Sequence, residues 1–551
     1  MTLRPARCRK TMLIAAVVGS ALVVVNPAAA TATGTTTAGA ATAGAIAPAT
    51  AAGTGPAIPL GPAGTQQSEQ IRQLTPGVQL TSIVRGAVDP ETRWVVEVNI
   101  PGGAGSPDPD APARAVQDKA AADAAVTTLA AAGLPARSDA VIQPATADVP
   151  RSVLGYRVRL VQTYADQTAA VTAAKQVSAT GLSGRAWYSG WDGGSDAKGR
   201  WRINVLTIDP ASFTGSLRAG YGPDLERREK VTELSAGATA AVNAGFFVLD
   251  PKAGAPGDPA GAGVYGGVVE SEPVGNRPVL VLADDATGTA VLRPRWDATV
   301  TVRGRNLRLD GLNRVPGLIR NCGGLGDLPT SAPVHDATCT DPDELVKFTP
   351  AFDASTPAGP GTEVVVNSDG TVAQVRAIRG SALGAGQWSV QATGSRIAEL
   401  GTVRVGQQLT SRTDLIGRFG KPLAGPGVSA VNGGPVLIDR GRVSITQRAD
   451  GFVQPENPSF AYGWVLQRNP RTFAGVDAAG RTLLVTVDGR QLGDLGLSIP
   501  ETAAVAKALG MVQAINLDGG GSTAMAVNGA LVTSPSDAAG ERPVGDAIVI
   551  G

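Results

Sequence analysis

The stretch Asn516-Leu517-Asp518-Gly519-Gly520-Gly521-Ser522-Thr523 sets one carboxylate against three consecutive glycines and two hydroxyls. Without Cβ atoms, three successive peptide units can take unusual φ values and let a ligand come close to the backbone. N–H groups presented in that way form a concave seat for an anion. The chemistry predicted is the holding of a sugar or phosphate by Gly519, Gly520, Gly521, Ser522 and Thr523, with the Asp518 carboxylate at its side. A nucleotide-type phosphate loop is excluded, because no Gly-Lys-Ser/Thr follows and no helix is predicted to start there. Spacing alone fits a β-bulge in which Asp518 closes a turn equally well.

Other chemistries are limited by what the chain lacks. His335 is its only histidine, so a Ser-His-Asp or Cys-His arrangement would have to recruit that residue. It lies between Cys322 and Cys339 in a Gly- and Pro-rich segment, and its expected role is structural. In an oxidising exterior these two cysteines, 17 positions apart, are expected to form one disulfide, adding roughly 3 kcal/mol by the loop-entropy relation. A structural zinc site needs four soft ligands, so no metal is expected. The acidic run at 339–346 lacks EF-hand spacing, so a Ca²⁺ ion has no motif to support it and no cofactor is predicted.

The elements that must position Asp518 are legible nearby. Val512 to Leu517 reads as a buried strand, preceded by a helix that Ser498 and Glu501 cap as a box and that stops at Gly510. After the glycines, an alternating segment turns at Asn528-Gly529, a strong hairpin signal. The glycine loop therefore joins a strand to a hairpin. Across the whole chain, 71 glycines and 39 prolines favour short strands and many turns. The expected class is α+β, with a β-rich C-terminal catalytic domain preceded by a small βαβ-type repeat domain.

Residues 1–30 read as a signal peptide: Arg4, Arg7, Arg9 and Lys10, then the apolar run Met12 to Val25, then Ala28-Ala29-Ala30. Cleavage near Ala30 or Ala32 leaves no stable transmembrane segment, and the expected location is secreted, extracellular or cell-wall associated. The mature chain is nearly neutral, which excludes the basic face that nucleic acid demands. Residues 31–73 are dominated by Ala, Thr, Gly and Pro and read as a disordered linker, with order starting near Leu74.

Within 74–195 the pattern is βα followed by βα: a strand over 93–100, a helix over 111–132 ended by Gly133, a strand over 155–164, a helix after Asp166 stopped by Gly181, and a strand over 184–188. This segment resembles a divergent SPOR-type domain, and the resemblance implies peptidoglycan as a partner. It is expected to fold apart from the rest.

From about residue 200 to 551 the motifs change. Asn243 and Gly245 lie in Thr239–Phe247, Asn432 opens Asn-Gly-Gly-Pro, Arg471 sits in Asn-Pro-Arg-Thr, Asp488-Gly489 reads as a hairpin turn, and Arg542 belongs to Glu-Arg-Pro. Together with the glycine loop, in this order, they resemble the phosphodiester glycosidase family, relatives of the lysosomal uncovering enzyme. The resemblance implies a phosphoglycan substrate with a GlcNAc-like sugar. The anomeric leaving group is then a phosphate monoester, with a second pKa of about 6, and departs without a strong proton donor. An ordinary glycosidase needs two carboxylates; here one carboxylate, Asp518, and one cation, Arg471, suffice, because a guanidinium fork matches two phosphate oxygens. Asn243 and Gly245 are assigned to the sugar. A glycan-binding envelope protein without turnover fits the same residues, and Arg542 fits a structural role as well as a catalytic one.

Overall fold

In a computed structural model, residues 55–100, 112–194, 197–328 and 337–551 are described. The central element is an eight-stranded antiparallel sheet. Its strands, in spatial order, are Gln67–Thr75, Val78–Gly86, Arg200–Ile208, Thr482–Val487, Arg471–Asp477, Met511–Asn516, Val436–Asp439 and Arg442–Val443. Both faces are covered, and the two-residue period of a strand divides its side chains between two cores. On the strand Arg200–Ile208, Trp201, Ile203 and Val205 enter one core with Phe473, Val485 and the helix residues Ile499 and Ala503. Leu206 and Ile208 enter the other with Val242, Leu484 and Ile548.

That second core is closed by a five-stranded sheet holding Ala240–Asn243, Met525–Val527 and Ala547–Ile550. Val428–Asn432 lies in a further five-stranded sheet. Between residues 295 and 416 a β-rich insertion with one short helix, Ile397–Leu400, encloses its own apolar centre around Val300, Val364, Val390 and Leu400.

The local signals hold where they predict backbone geometry. The helix Ile499–Ala508 begins with the expected capping box, Ser498 accepting from Glu501 N–H while the Glu501 carboxylate accepts from Ser498 N–H. Gly510 beyond its end has φ 84°. Asn528 and Gly529, at φ 50° and 76°, make the hairpin turn between Met525–Val527 and Ala530–Leu531. Asp166 caps the helix Gln167–Ser178 through a bond from Ala169 N–H. The preceding helix runs over Lys119–Ala131 rather than from 111, because Asp118 takes the N-cap and accepts from Ala121 N–H.

The segment between Trp94 and Tyr188 forms two split β-α-β units, with strand order Ala136–Gln143, Ser152–Leu160, Trp94–Asn99, Ser183–Tyr188 and helices on one face. It does not stand apart. The hairpin 67–86 belongs to the central sheet, with Val78 opposite Ile208 and Gly86 opposite Arg200. Trp94, Ala170 and Tyr188 share a core with Trp201 and Phe473. Order also begins earlier than Leu74: Ile58 and Leu60 are buried, and a strand opens at Gln67. Two corrections follow. The linker ends before residue 58, and no boundary near 195–200 separates two independent bodies, since residues 49–551 form one compact unit. Low hydrophobicity between 55 and 73 masked these contacts, because two apolar side chains and a polar edge strand give almost no periodic signal. The proposed signal peptide and most of the linker lie outside the described residues, as does His335.

Candidate active site

Asp518 leaves the end of the strand Met511–Asn516 and is held there by its own backbone. Its N–H donates to Ala244 O at 2.9 Å, and its carbonyl accepts from Asn243 Nδ2 at 2.7 Å. The Asn243 Oδ1 atom accepts from Thr472 Oγ1 and from Ala524 N–H. Asn243 is therefore fully buried with both ends of its amide engaged. The sugar contact expected of it is corrected to a pin: it fixes the Asp518 loop from behind. Gly245 does not touch the cavity either; its N–H donates to Asp546 Oδ1 at 2.7 Å. Burial pushes the Asp546 carboxyl up to about 6, although the Tyr265 hydroxyl and Gly245 N–H favour its charged form. Asn432, from the Asn-Gly-Gly-Pro motif, plays a matching part by accepting from Phe246 N–H and donating to Phe246 O.

One cavity gathers Asp518, Gly519, Ser522 and Arg471. Phe246, Phe247, Phe452, Phe460 and Trp464 give it aromatic walls, and Arg320 and Arg542 add cationic groups. Arg471 opens the strand Arg471–Asp477 and is buried. Its Nε donates to Leu497 O at 2.8 Å and its Nη2 to Trp464 O at 2.6 Å. No described carboxylate forms a salt bridge with it, and its Nη1 makes no hydrogen bond among the described residues. Burial, together with the Arg490 guanidinium, pushes Arg471 down to about 9. A buried cation held only by carbonyls is costly unless an anion joins it.

The three glycines answer to these arginines rather than to a backbone anion seat. The Gly519 N–H donates to the Asp518 side chain and the Gly520 N–H to Pro470 O, so neither is offered to a ligand. A Cβ at Gly521 would fall 2.2 Å from Arg542 Nη2, and one at Gly520 would fall 3.2 Å from Arg490 Nη2. Bare backbone lets two guanidinium groups close over the loop while Arg471 passes beside Gly519. Thr523 is buried behind the loop, off the cavity. The predicted contacts of Gly520, Gly521 and Thr523 with substrate are thus replaced by packing roles.

Arg490 is reached through an unforeseen turn. Asp488-Gly489 does not link two strands of a hairpin; the chain leaves the strand at Val487 and Arg490 takes φ 55°. Its guanidinium donates to Asn469 Oδ1 and lies 6.0 Å from the Trp464 ring centroid. Asp488 is buried, with burial pushing its carboxyl up to about 7. Arg542, weighed as structural or catalytic, lines the cavity, and its Nη2 pairs with Asp537 at 2.8 Å. Sequence reading missed Arg320, Arg490 and the aromatic walls. The available clue was that Phe246, Phe247 and Arg490 sit in or beside motifs already noted and Arg320 beside Cys322, whereas Phe452 and Phe460 carried none.

Cys322 and Cys339 are joined, with Cα atoms 5.4 Å apart. The bond ties the strand Leu318–Arg320 to Thr338–Thr340 and so presents Arg320, Asn321 and Ala337 to the cavity. Among the described residues no three His, Cys, Asp or Glu side chains are grouped so as to hold a metal ion, and no helix is long and apolar enough to cross a membrane.

Residues 360–551 match the family model for phosphodiester glycosidase. This stretch carries a phosphodiester glycosidase domain. The matched stretch contains Arg471, Asn516, Asp518, the three glycines and Arg542, whereas Phe246, Phe247, Arg320 and Asn321 of the cavity come from outside it. N-acetylglucosamine-1-phosphodiester alpha-N-acetylglucosaminidase of Mus musculus is 36% identical over 114 residues, 20% of this chain and 22% of that protein. The chain thus spans 22% of the length of that curated relative. The crystal structure of a "Putative exported protein" from Burkholderia pseudomallei K96243 superposes with a TM-score of 0.78 at 34% identity, covering 90% of this chain and 99% of that one. A hypothetical protein from Synechocystis shares the fold, with a TM-score of 0.50 at 19% identity over 88% of this chain and 76% of its own.

Proposed function

We propose that this protein hydrolyses a sugar-1-phosphodiester, with Arg471 holding the phosphate and Asp518 serving the anomeric carbon. The observation that carries this reading is the meeting of both residues in one aromatic-walled cavity, with Arg471 buried and lacking a salt bridge to any described carboxylate. A diester phosphate supplies the missing negative charge, accepting from Nη1, the guanidinium nitrogen that the carbonyls leave open. Arg542, admitted by Gly521, reaches the same anion from the facing loop. The aromatic walls suit the apolar face of a pyranose ring.

In the reaction, water oxygen bonds to the anomeric carbon as the bond from that carbon to the phosphate oxygen breaks. The electron pair of the broken bond stays on the phosphate. The proton lost by water passes through the Asp518 carboxylate to the departing monoester or to solvent, so no second carboxylic acid is required. We assign the substrate to cell-wall or extracellular phosphoglycans carrying a GlcNAc-like sugar, which accords with the signal peptide expected at residues 1–30. On the SPOR-type resemblance alone, residues 74–195 are proposed to contact peptidoglycan.

The test is release of free sugar and phosphate monoester from a GlcNAc-1-phosphodiester. Asp518 is half-buried, so Asp518→Asn is expected to keep its fold while losing a factor of about 10² to 10⁴ in kcat, the range for a positioned acid or base. Near-wild-type turnover in the folded variant would end the catalytic assignment. Sugar binding by the wild type without any release would favour a glycan-binding module instead.

A further inference from the structure

The N-terminal β-α-β unit reaches the phosphate arginine through a continuous chain of buried contacts. Glu97, on the strand Trp94–Asn99, is fully buried. Its Oε2 accepts from Arg159 Nη2 at 2.7 Å and from the Tyr462 hydroxyl at 2.8 Å, and its Oε1 accepts from Arg185 Nη2 at 2.5 Å. The Tyr462 hydroxyl in turn accepts from Arg157 Nη1 at 3.1 Å. Across the same interface Ser459 Oγ accepts from Val116 N–H and donates to Val116 O.

Tyr462 is the first residue of a π-helical turn, Tyr462–Leu466. Such turns are rare and cluster at functional sites. This one delivers Trp464 twice: its ring lines the cavity, and its carbonyl accepts from Arg471 Nη2 at 2.6 Å. A second carbonyl just beyond the turn, that of Gln467, lies 3.4 Å from the same nitrogen. The guanidinium that would grip phosphate is therefore oriented by a turn whose opening residue is fastened to another part of the chain.

We propose that Tyr462 and Glu97 are positioning residues for the anion site, so that the β-α-β unit acts as the support of the catalytic wall. Binding to this unit would then be felt at Arg471 through the π turn. The inference rests on the phosphodiester reading only for the identity of the natural anion; the geometry itself concerns any phosphate held by Arg471.

The experiment compares the full chain with Tyr462→Phe and Gln447→Ala. Tyr462→Phe keeps the ring and removes only the hydroxyl. Gln447→Ala cuts the bond from Gln447 Nε2 to Gln143, which crosses the same interface away from the π turn. Inorganic phosphate is the probe, by calorimetry and as a competitive inhibitor, alongside KM and kcat on the phosphodiester and the melting temperature. Tyr462→Phe is expected to weaken phosphate binding and raise KM by about three- to tenfold, with kcat within about twofold, the size of effect expected from a small misplacement of a binding group. Gln447→Ala should leave phosphate affinity unchanged at a similar loss of melting temperature. Unchanged phosphate affinity in Tyr462→Phe, or equal weakening in both variants, overturns the inference. Should Tyr462→Phe not fold, Arg157→Gln loosens the same hydroxyl from the half-buried edge of the network and is read in the same way. A wild type that binds phosphate but cleaves no phosphodiester refutes the enzymatic reading while the phosphate arm still decides this one. A wild type that does neither refutes both.

Discussion

Gly521→Ala separates the two uses a glycine triplet can have. Gly521 does not occupy the left-handed region, so alanine fits its backbone without strain. The added Cβ would instead meet Arg542, 2.2 Å from Nη2 and 2.3 Å from Cζ, with Asp537 Oδ1 at 2.5 Å. These are the ends of flexible side chains, so the arginine swings away and the loop stays. The stability cost includes the loss of a partly exposed Arg542–Asp537 pair, worth about 0–1 kcal/mol. The functional cost is a charge-assisted hydrogen bond to phosphate, about 1.5–3 kcal/mol, or roughly 10- to 150-fold in kcat/KM. Initial rates on a glycosyl phosphodiester and a thermal melt on the same samples measure both. Arg542→Ala should match it, and the double variant should be no worse than either single one, because both remove the same contact. Normal kcat/KM in folded Gly521→Ala, or additive losses in the double variant, would refute the view that this glycine exists to admit Arg542.

A chain beginning at Arg200 is expected to be insoluble or loosely folded, since it strips the paired hairpin from Arg200–Ile208 and uncovers Trp201; soluble yield and amide exchange report this, and a well-folded, active product would restore the two-body view. Asp488 predicts a pH dependence. Its folded carboxyl is pushed up to about 7 from an ordinary value of 3.8, so the native state holds the proton more tightly than the unfolded chain. Stability is then greatest below about pH 4 for this group and falls as pH rises towards 7, by at most about 4 kcal/mol. Asp488→Asn should flatten that slope in melts between pH 5 and 8, and an unchanged slope would count against the buried carboxyl as its source.

Local order was legible because its determinants are local. Ser498 with Glu501, Asp166, and Asn528 with Gly529 each satisfy backbone groups within a few residues, so their geometry follows from residue type. The pairing of Cys322 with Cys339 was equally open to reading, there being no third cysteine in the expected mature chain. Asp518 and Arg471 were recognisable as residues suited to a phosphodiester, and they do share a cavity.

What the tertiary structure alone decided is who meets whom at a distance. Nothing in the residues 67–86 says that they pair with Arg200–Ile208 instead of with the strands that follow them. Asn243 has the same amide whether it faces a sugar or holds the Asp518 carbonyl; only the arrival of Thr472 and Ala524 engages its oxygen. The glycines looked like a seat for an anion because bare backbone permits one, yet Arg490 and Arg542 occupy that space, brought in by a turn at φ 55° and by the C-terminal loop. Sequence by itself settled the conformations that each short segment prefers and the chemical types available. The fold settled which buried polar groups satisfy one another, since that depends on contacts across hundreds of residues whose energies no local pattern encodes.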